Sequence, residues 1–185
     1  MGYEYEIVVV DYEPTWPAVF ERLRARTWPA VAHLASSIEH VGSTSVPGLA
    51  AKPIIDMSIV VPLASALPAV IERLATLGYV HLGEMGVEGR EAFRAPANLP
   101  AHHLYACPSG SLGLVNQLAV RDYLRGDVEM ARAYGDLKKR LAEQFADDIE
   151  RYVAGKTDLV LDILTRMGLS AERVAAIERA NRTAG

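Results

Sequence analysis

Residue types suited to phosphate chemistry are concentrated in the segment 38–59, which reads IEHVGSTSVPGLAAKPIIDMSI. Gly42 begins a run of small and hydroxyl-bearing residues, and Lys52 and Asp56 follow this run. Backbone amides and hydroxyls bind phosphate oxygens, a lysine offsets phosphate charge, and a carboxylate binds a divalent cation. The segment therefore predicts a phosphate-binding loop beside a metal ligand.

The same segment also has a purely structural interpretation. The prolines and glycines of 42–53 favour a tight connection between two strands, and the serine and threonine hydroxyls can satisfy the amides of a turn. A turn needs neither Lys52 nor Asp56. Their presence at the far end of the segment favours the phosphate-binding interpretation.

Bulk composition favours a small-molecule partner. The chain has 185 residues, half of them hydrophobic, which suits a single domain over 1–185 with a sizeable core. A formal net charge of -4 argues against sequence-independent binding of nucleic acid, which needs a basic face. We therefore expect a small-molecule or nucleotide ligand and no nucleic-acid partner.

Cysteine content and hydropathy indicate a cytoplasmic protein. Cys107 is the one cysteine, so no internal disulfide can form, which fits a reducing compartment. No apolar run approaches the roughly 20 residues that cross a bilayer, and the first residues lack the basic segment of an export signal. We expect no membrane partner.

Hydrophobic patterning predicts an α/β fold with a mixed sheet over about 5–110 and a helical part over about 111–182. The expected strands are 5–10, 37–41, 54–61, 79–82, 92–94 and 102–107, and the expected early helices are 17–27 and 67–77. Pro29 should break or bend the first helix. Glycines at 126, 155 and 168 should separate the later helices.

Several motifs resemble one family. They are VVDYEPTWPAVF over 9–20, IEHVGSTSVPGLAAKPIID over 38–56, HHL over 102–104 and RDYLR over 121–125. On these motifs the chain is identified as a member of the GrpB family of small bacterial proteins, with a match over roughly residues 5 to 167.

The resemblance implies the fold of the nucleotidyltransferase superfamily, a mixed β-sheet flanked by helices. That superfamily pairs a Gly-Ser motif with two carboxylates, one residue apart, on a following strand. Gly42, Ser43 and Asp56 match this pattern, whereas Ser58 occupies the second acidic position. Alternation places Asp56 and Ser58 on one face, but a serine hydroxyl is a weak ligand for a hard cation. This departure argues against an ordinary two-metal centre.

Other side chains are candidates to complete the site. We predict a metal site from Asp56, His40, His102 and His103, with at most one of the two adjacent histidines beside Asp56. Histidine ligands would favour Zn²⁺ or Mn²⁺ over Mg²⁺. Glu39, Asp56 and His103 are the candidate catalytic residues. Alternatively, each histidine is a partly buried ring that binds no metal.

Cationic side chains in the helical part are further candidates. Arg121 and Arg125 lie four residues apart on one helical face, where they can clamp a phosphate or form ordinary ion pairs. The basic run 138–140 has the pattern of a solvated face. Tyr134 and Tyr152 are interpreted as core residues.

Two functions remain open at this point. The first is metal-dependent transfer of a nucleotidyl or phosphate group to a small molecule, with Mg²⁺, Mn²⁺ or Zn²⁺ as the cofactor. The residues Gly42, Ser43, Thr44, Ser45, Lys52, Arg121 and Arg125 would bind the nucleotide phosphates. The alternative is a non-catalytic phosphate-binding or folding-accessory domain, since similar domains occur fused to dephospho-coenzyme A kinase. The last helix, over 171–182, either caps the core or forms a homodimer contact.

Overall fold

A computed structural model describes residues 6–183. The α-helices are α1 Trp16–Val31, α2 Leu67–Thr76, α3 Leu112–Gly126, α4 Val128–Gln144, α5 Ile149–Arg166 and α6 Ala171–Thr183. The strands are β1 Ser37–Val41, β2 Ile55–Val61, β3 Val80–Gly83, β4 Glu91–Arg94 and β5 His102–Pro108. A short 3₁₀ turn, Ser43–Ser45, follows β1.

The five strands form one mixed sheet in the order β1-β2-β5-β4-β3. β2 pairs with β5 in parallel, and the other neighbouring strands pair antiparallel. β2 is apolar and lies inside the sheet, as its long hydrophobic run predicts. The mixed α/β architecture expected from the sequence is confirmed.

The two faces of the sheet differ in chemistry. On one face, side chains of β2 and β5 such as Met57 and Leu104 pack with residues of α1 and α2 in the main hydrophobic core. The opposite face carries Asp56 and Ser58, and it faces α3. Strand alternation thus directs polar side chains toward the helical half of the chain.

The helices α3 to α6 pack against each other and against the loop after β1. Tyr134 of α4 and Ile163 of α5 form a cluster with Val46 and Leu49 of that loop. Ile177 of α6 is buried against residues of α3 and α5, and Val174 packs on the same cluster. The last helix therefore covers the core, and the predicted homodimer contact stays a prediction.

The strand expected at 5–10 is wrong, and Pro29 does not break α1. Within 6–10 only Val10 pairs, in an isolated antiparallel bridge to Ala51, because the amide of Ile7 bonds to Ala146 in the helical half instead; residue 5 lies outside the described residues. α1 continues past Pro29 to Val31, whose fully buried side chain extends the core-facing stripe of the helix.

The expectation that Gly155 separates two helices is also wrong. Gly155 lies inside α5, where a Cβ atom would come within 2.4 Å of Leu141 Cδ2, so the glycine allows α4 and α5 to pack closely. The break lies instead before Ile149, where the Asp148 carboxylate accepts a hydrogen bond from the Arg151 amide. Over residues 6–183, no helix is both long and apolar enough to cross a membrane.

Candidate functional site between the sheet and the helices

A cavity of about 550 Å³ lies between the polar face of the sheet and the helices α3, α4 and α5. Of the residues predicted from the sequence to form the site, those that line this cavity are Gly42, Ser43, Thr44, Lys52, Asp56, His103 and Arg121. Glu39, His40 and Arg125 line a separate groove of about 400 Å³, which shares Arg121 with the cavity. The structure thus brings together the loop, the lysine, the carboxylate and one histidine.

Gly42 allows the loop backbone to approach the carboxylate of Asp56. Its φ of +69° lies in the left-handed region, and a Cβ atom at this position would come within 2.3 Å of Asp56 Oδ2. Val41, the residue before it, is paired with Asp56 across β1 and β2. A glycine is therefore required for both its conformation and its size.

The three hydroxyls after Gly42 have different roles. Ser45 Oγ donates to the Gly42 carbonyl at 2.6 Å, and Thr44 Oγ1 shares a hydrogen bond with His40 Nε2 at 3.1 Å. Ser43 borders the cavity, and no side-chain hydrogen bond engages its hydroxyl within the described part of the chain. The turn interpretation applies to Thr44 and Ser45, whereas Ser43 can bind a ligand.

Asp56 and His103 are neighbours on the parallel strands β2 and β5. His103 Nδ1 donates to Asp56 Oδ1 at 2.9 Å, and both side chains are partly exposed. In a neutral ring with its proton on Nδ1, Nε2 is free to accept a proton. The Asp56–His103 pair can therefore act as a general base in the cavity.

The polar side chains of Ser58 and Glu39 are already engaged by other residues. Ser58 Oγ donates to Gln117 Oε1 of α3 at 2.6 Å. Glu39, opposite Ser58 on β1, accepts hydrogen bonds of 2.8 Å from Ser37 and Arg121. Burial alone would raise the pKa of Glu39, but these hydrogen bonds outweigh burial and lower it.

His40 and His102 project from the opposite face of the sheet. The His40 ring stacks on Phe20 with the ring centroids 4.6 Å apart, and burial lowers the pKa of His40 to about 4. His102 Nδ1 donates to the Pro100 carbonyl at 2.7 Å, and Nε2 accepts from Tyr79 at 2.8 Å. Neither ring lies beside Asp56.

The donors present suit a divalent cation poorly. Over residues 6–183, no group of three or more His, Cys, Asp or Glu side chains is placed to hold a metal ion. Asp56 supplies one carboxylate and His103 one imidazole, while Mg²⁺ is held by carboxylates and phosphates with near-octahedral geometry. The predicted Mg²⁺, Mn²⁺ or Zn²⁺ cofactor stays a prediction.

Three lysines from separate elements line the cavity: Lys52 before β2, Lys138 on α4 and Lys156 on α5. None of them forms an ion pair with a carboxylate of the described residues. Lys138 is 2% exposed, and its Nζ donates to the Ala50 carbonyl. Lys52 and Lys156 flank the Tyr152 ring, with Nζ 5.8 Å and 5.1 Å from the ring centroid.

Burial and neighbouring lysines lower the affinity of Lys138 and Lys156 for protons. Burial, with a further contribution from the charge of Lys156, lowers the pKa of Lys138 well below the usual lysine value. Burial and the charge of Lys52 lower the pKa of Lys156 to about 8. The cavity therefore concentrates positive charge that the protein compensates poorly.

Sequence reasoning missed Lys138 and Lys156 as members of the site. The interpretation of 138–140 as a solvated face holds for Lys139, which pairs with Asp11, but not for Lys138. Lys138 lies four residues after the buried Tyr134 and three before the buried Leu141. That helical spacing was the available signal, since it places the lysine on the buried stripe of α4.

The two predicted arginines connect α3 to the first strand and its loop. Arg121 Nη1 donates to Glu39 at 2.8 Å and to the His40 carbonyl at 3.2 Å. Arg125 donates twice to the Ser45 carbonyl, at 3.0 and 2.9 Å. Arg121 borders the cavity, whereas Arg125 holds the backbone of the loop and does not line the cavity.

Comparison with known proteins identifies the family. The sequence profile described as GrpB protein matches residues 6–166. The chain belongs to the GrpB family. It is 35% identical to the UPF0157 protein YqkA of Bacillus subtilis over 155 residues, which cover 84% of the chain and 45% of YqkA. The chain thus spans less than half the length of that relative.

Solved structures show the fold. The crystal structure of conserved protein GrpB from Enterococcus faecalis has a TM-score of 0.78 and 32% identity, and the match covers 86% of the chain and 96% of that protein. Terminal uridylyl transferase 4 from Trypanosoma brucei has a TM-score of 0.50 and 18% identity, over 83% of the chain and 51% of that enzyme. The GrpB chain therefore has a nucleotidyltransferase-like fold.

Proposed function

We propose that this GrpB protein binds a small molecule carrying a polyphosphate, with nucleoside triphosphates as the first candidates. The observation that supports the proposal is the convergence of Lys52, Lys138 and Lys156, without carboxylate partners among the described residues, on the cavity that contains Ser43. A cytoplasmic location, where nucleoside triphosphates are present, is part of the proposal.

Charge is the first argument for this ligand class. Keeping an unpaired cation in a desolvated site costs several kcal/mol, and an anionic partner removes most of that cost. Asp56 is the one carboxylate side chain among the residues that line the cavity. A polyphosphate supplies several negative charges that can pair with the three lysines.

Size and shape are the second argument. The cavity volume of about 550 Å³ falls within the range of about 300–1,000 Å³ that is typical of small-molecule sites. The walls combine apolar side chains such as Val120 and Val160 with the polar groups already described. The apolar walls suit the base and sugar of a nucleotide, and the polar end suits its phosphates.

Group transfer is the chemistry that the cavity can support. An acceptor hydroxyl would lose its proton to His103 Nε2 while its oxygen forms a bond to phosphorus. The bond from phosphorus to the leaving group breaks, and pyrophosphate or another phosphate leaves with its electron pair. Asp56 orients His103 and stabilises its charged form, and the lysines stabilise the charge of the leaving group.

Calorimetric titration tests the binding proposal. We expect nucleoside triphosphates to bind, and Lys156→Met to weaken binding about tenfold or more because a charged hydrogen bond contributes about 1.5–3 kcal/mol. Lys139→Met is the matched control, because Lys139 lies outside the cavity and pairs with Asp11. If ATP, GTP, CTP and UTP all fail to bind, the proposal is refuted.

A non-catalytic binding or folding-accessory role is the second candidate, and the engagement of Ser58 with Gln117 at the missing acidic position favours it. The two roles differ in turnover. Release of pyrophosphate or phosphate in the presence of hydroxyl acceptors, with loss in His103→Gln at unchanged nucleotide affinity, supports transfer. Nucleotide binding without turnover on any acceptor tested supports the accessory role.

A further inference from the structure

The distribution of charge in the cavity bears on whether a divalent cation is needed there. We propose that the polyphosphate site, which rests on the function proposed above, operates without a divalent cation, because Lys52, Lys138 and Lys156 supply the positive charge that such an ion would bring.

The site has too few available carboxylates for an ordinary metal centre. Asp56 is engaged by His103, and the second acidic position holds Ser58, whose hydroxyl is directed to Gln117. Glu39, which lies opposite Ser58 on β1, is held by Arg121 and lines the separate groove. One carboxylate therefore remains, where ordinary two-metal sites bridge two ions with several.

The same site contains three lysines. Lys52, Lys138 and Lys156 reach the cavity from the loop before β2, from α4 and from α5. An ammonium group has three N–H donors, and the one hydrogen bond from Lys138 to Ala50 leaves two donors available. Together the three ammonium groups can offset the charge of a triphosphate from three directions.

Protonation of the lysines provides an independent signature. In the empty cavity, burial and neighbouring cations lower the pKa of Lys138 and Lys156. The groups that face them are Asp56 of β2, Lys52 of the preceding loop, Tyr134 of α4 and Tyr152 of α5. Burial raises the pKa of both tyrosines, which leaves Asp56 as the one anion among these groups.

A bound polyanion reverses both effects on the lysines. It attracts the ammonium form and replaces part of its lost hydration, so the pKa of each lysine rises on binding. Near pH 8, where Lys156 of the empty site is partly deprotonated, binding must therefore be accompanied by uptake of protons from the solvent. A site that relied on a metal ion would not need this uptake.

Calorimetry distinguishes the two arrangements. ATP is titrated into the full chain at about pH 8, with EDTA or with Mg²⁺, in two buffers of different ionisation enthalpy. We expect binding in EDTA within about threefold of the affinity in Mg²⁺, and an observed enthalpy that changes with the buffer in the sense of proton uptake. Lys138→Met should weaken binding in EDTA about tenfold and reduce the uptake, whereas Lys139→Met should change neither.

The other outcomes separate this inference from the function it rests on. Binding that requires Mg²⁺ overturns the inference and leaves the polyphosphate site standing. Binding in EDTA that is insensitive to both Lys138→Met and Lys156→Met also overturns it. Absence of binding with and without Mg²⁺ refutes the proposed function itself. Lys156→Met serves as the second variant because Lys156 is only partly buried and its loss threatens folding less than a change at Lys138.

Discussion

Gly42 and Asp56 illustrate how single residues determine the site. The carboxylate of Asp56 occupies the space that a Cβ atom at position 42 would need, so the loop and the strand are in direct contact. Gly42 also has a positive φ, which other residues adopt at a cost of about 1–2 kcal/mol. The position and conformation of the loop thus depend on this glycine.

A pair of glycine substitutions tests this dependence. Gly42→Ala should lower the free energy of unfolding by more than Gly48→Ala, because both sites have positive φ but nothing lies within 4 Å of a Cβ atom at Gly48. The strain common to both is about 1–2 kcal/mol, and Gly42→Ala adds the steric clash with Asp56. Urea denaturation measures the difference, and equal losses would show that the contact with Asp56 is unimportant.

Lys156 gives a prediction about pH. Its pKa is lowered from 10.5 to about 8, so between these values the unfolded chain binds a proton that the folded chain lacks. Stability therefore rises with pH across that window. We expect a gain of about 2 kcal/mol between about pH 8 and 10 in the ligand-free protein, and a smaller gain in Lys156→Met. Denaturation curves at several pH values measure it; a slope that Lys156→Met leaves unchanged would contradict the assignment.

Residue types and spacing predicted only part of the site. The order Gly42, Ser43, Lys52 and Asp56 predicted residues that lie together, since all four line one cavity. Alternation along β5 also separated His102 from His103. What the sequence does not contain is the partner of each side chain, because His40, His102 and Glu39 are engaged by residues distant in the chain, such as Phe20, Tyr79 and Arg121.

At the scale of elements, the contact between α4 and α5 positions two of the lysines. Lys138 lies on α4 and Lys156 on α5, and Gly155 lies against Leu141 between the two helices. The separation of the helices therefore affects the distance between these two lysines. Gly155 is a packing residue in this arrangement, although glycine within a helix costs about 1 kcal/mol relative to alanine.

Substitution of this glycine is expected to destabilise the protein despite the better helix propensity of alanine. Gly155→Ala places a Cβ atom 2.4 Å from Leu141 Cδ2, so Leu141 must move or α5 must shift, at a cost of about 1–3 kcal/mol. Gly126→Ala is the control, since nothing lies within 4 Å of a Cβ atom there. Thermal denaturation compares them. An unchanged or higher melting temperature for Gly155→Ala would show that α4 and α5 are not held together by this contact.

The sequence patterns that predicted elements well were those that tertiary contacts support. The strand 37–41 and the helix 67–77 were expected within one residue of their bounds because the periodicity matches the buried positions. The strand expected at 5–10 and the break expected at Gly155 were wrong, because a bond to Ala146 and the contact with Leu141 override local preference. Local secondary-structure propensity contains no information about such distant contacts.

At the scale of the whole molecule, the negative net charge does not indicate that positive side chains cluster in one cavity. The chain has a formal net charge of -4, yet the cavity gathers three lysines around one aspartate. The net charge argues against a nucleic-acid partner, but it gives no information about a local cluster of cations. Only the fold, which brings α4 and α5 against the loop after β1, creates that site.

The crystal structure of the protein with a non-hydrolysable ATP analogue tests the central claim most directly. We predict phosphate oxygens within hydrogen-bond distance of the Ser43 hydroxyl and of at least two of Lys52, Lys138 and Lys156, in the cavity that contains Asp56. Phosphates bound instead in the groove beside Arg24 and Arg125, or a cavity that stays free of nucleotide at saturating concentration, would contradict the account.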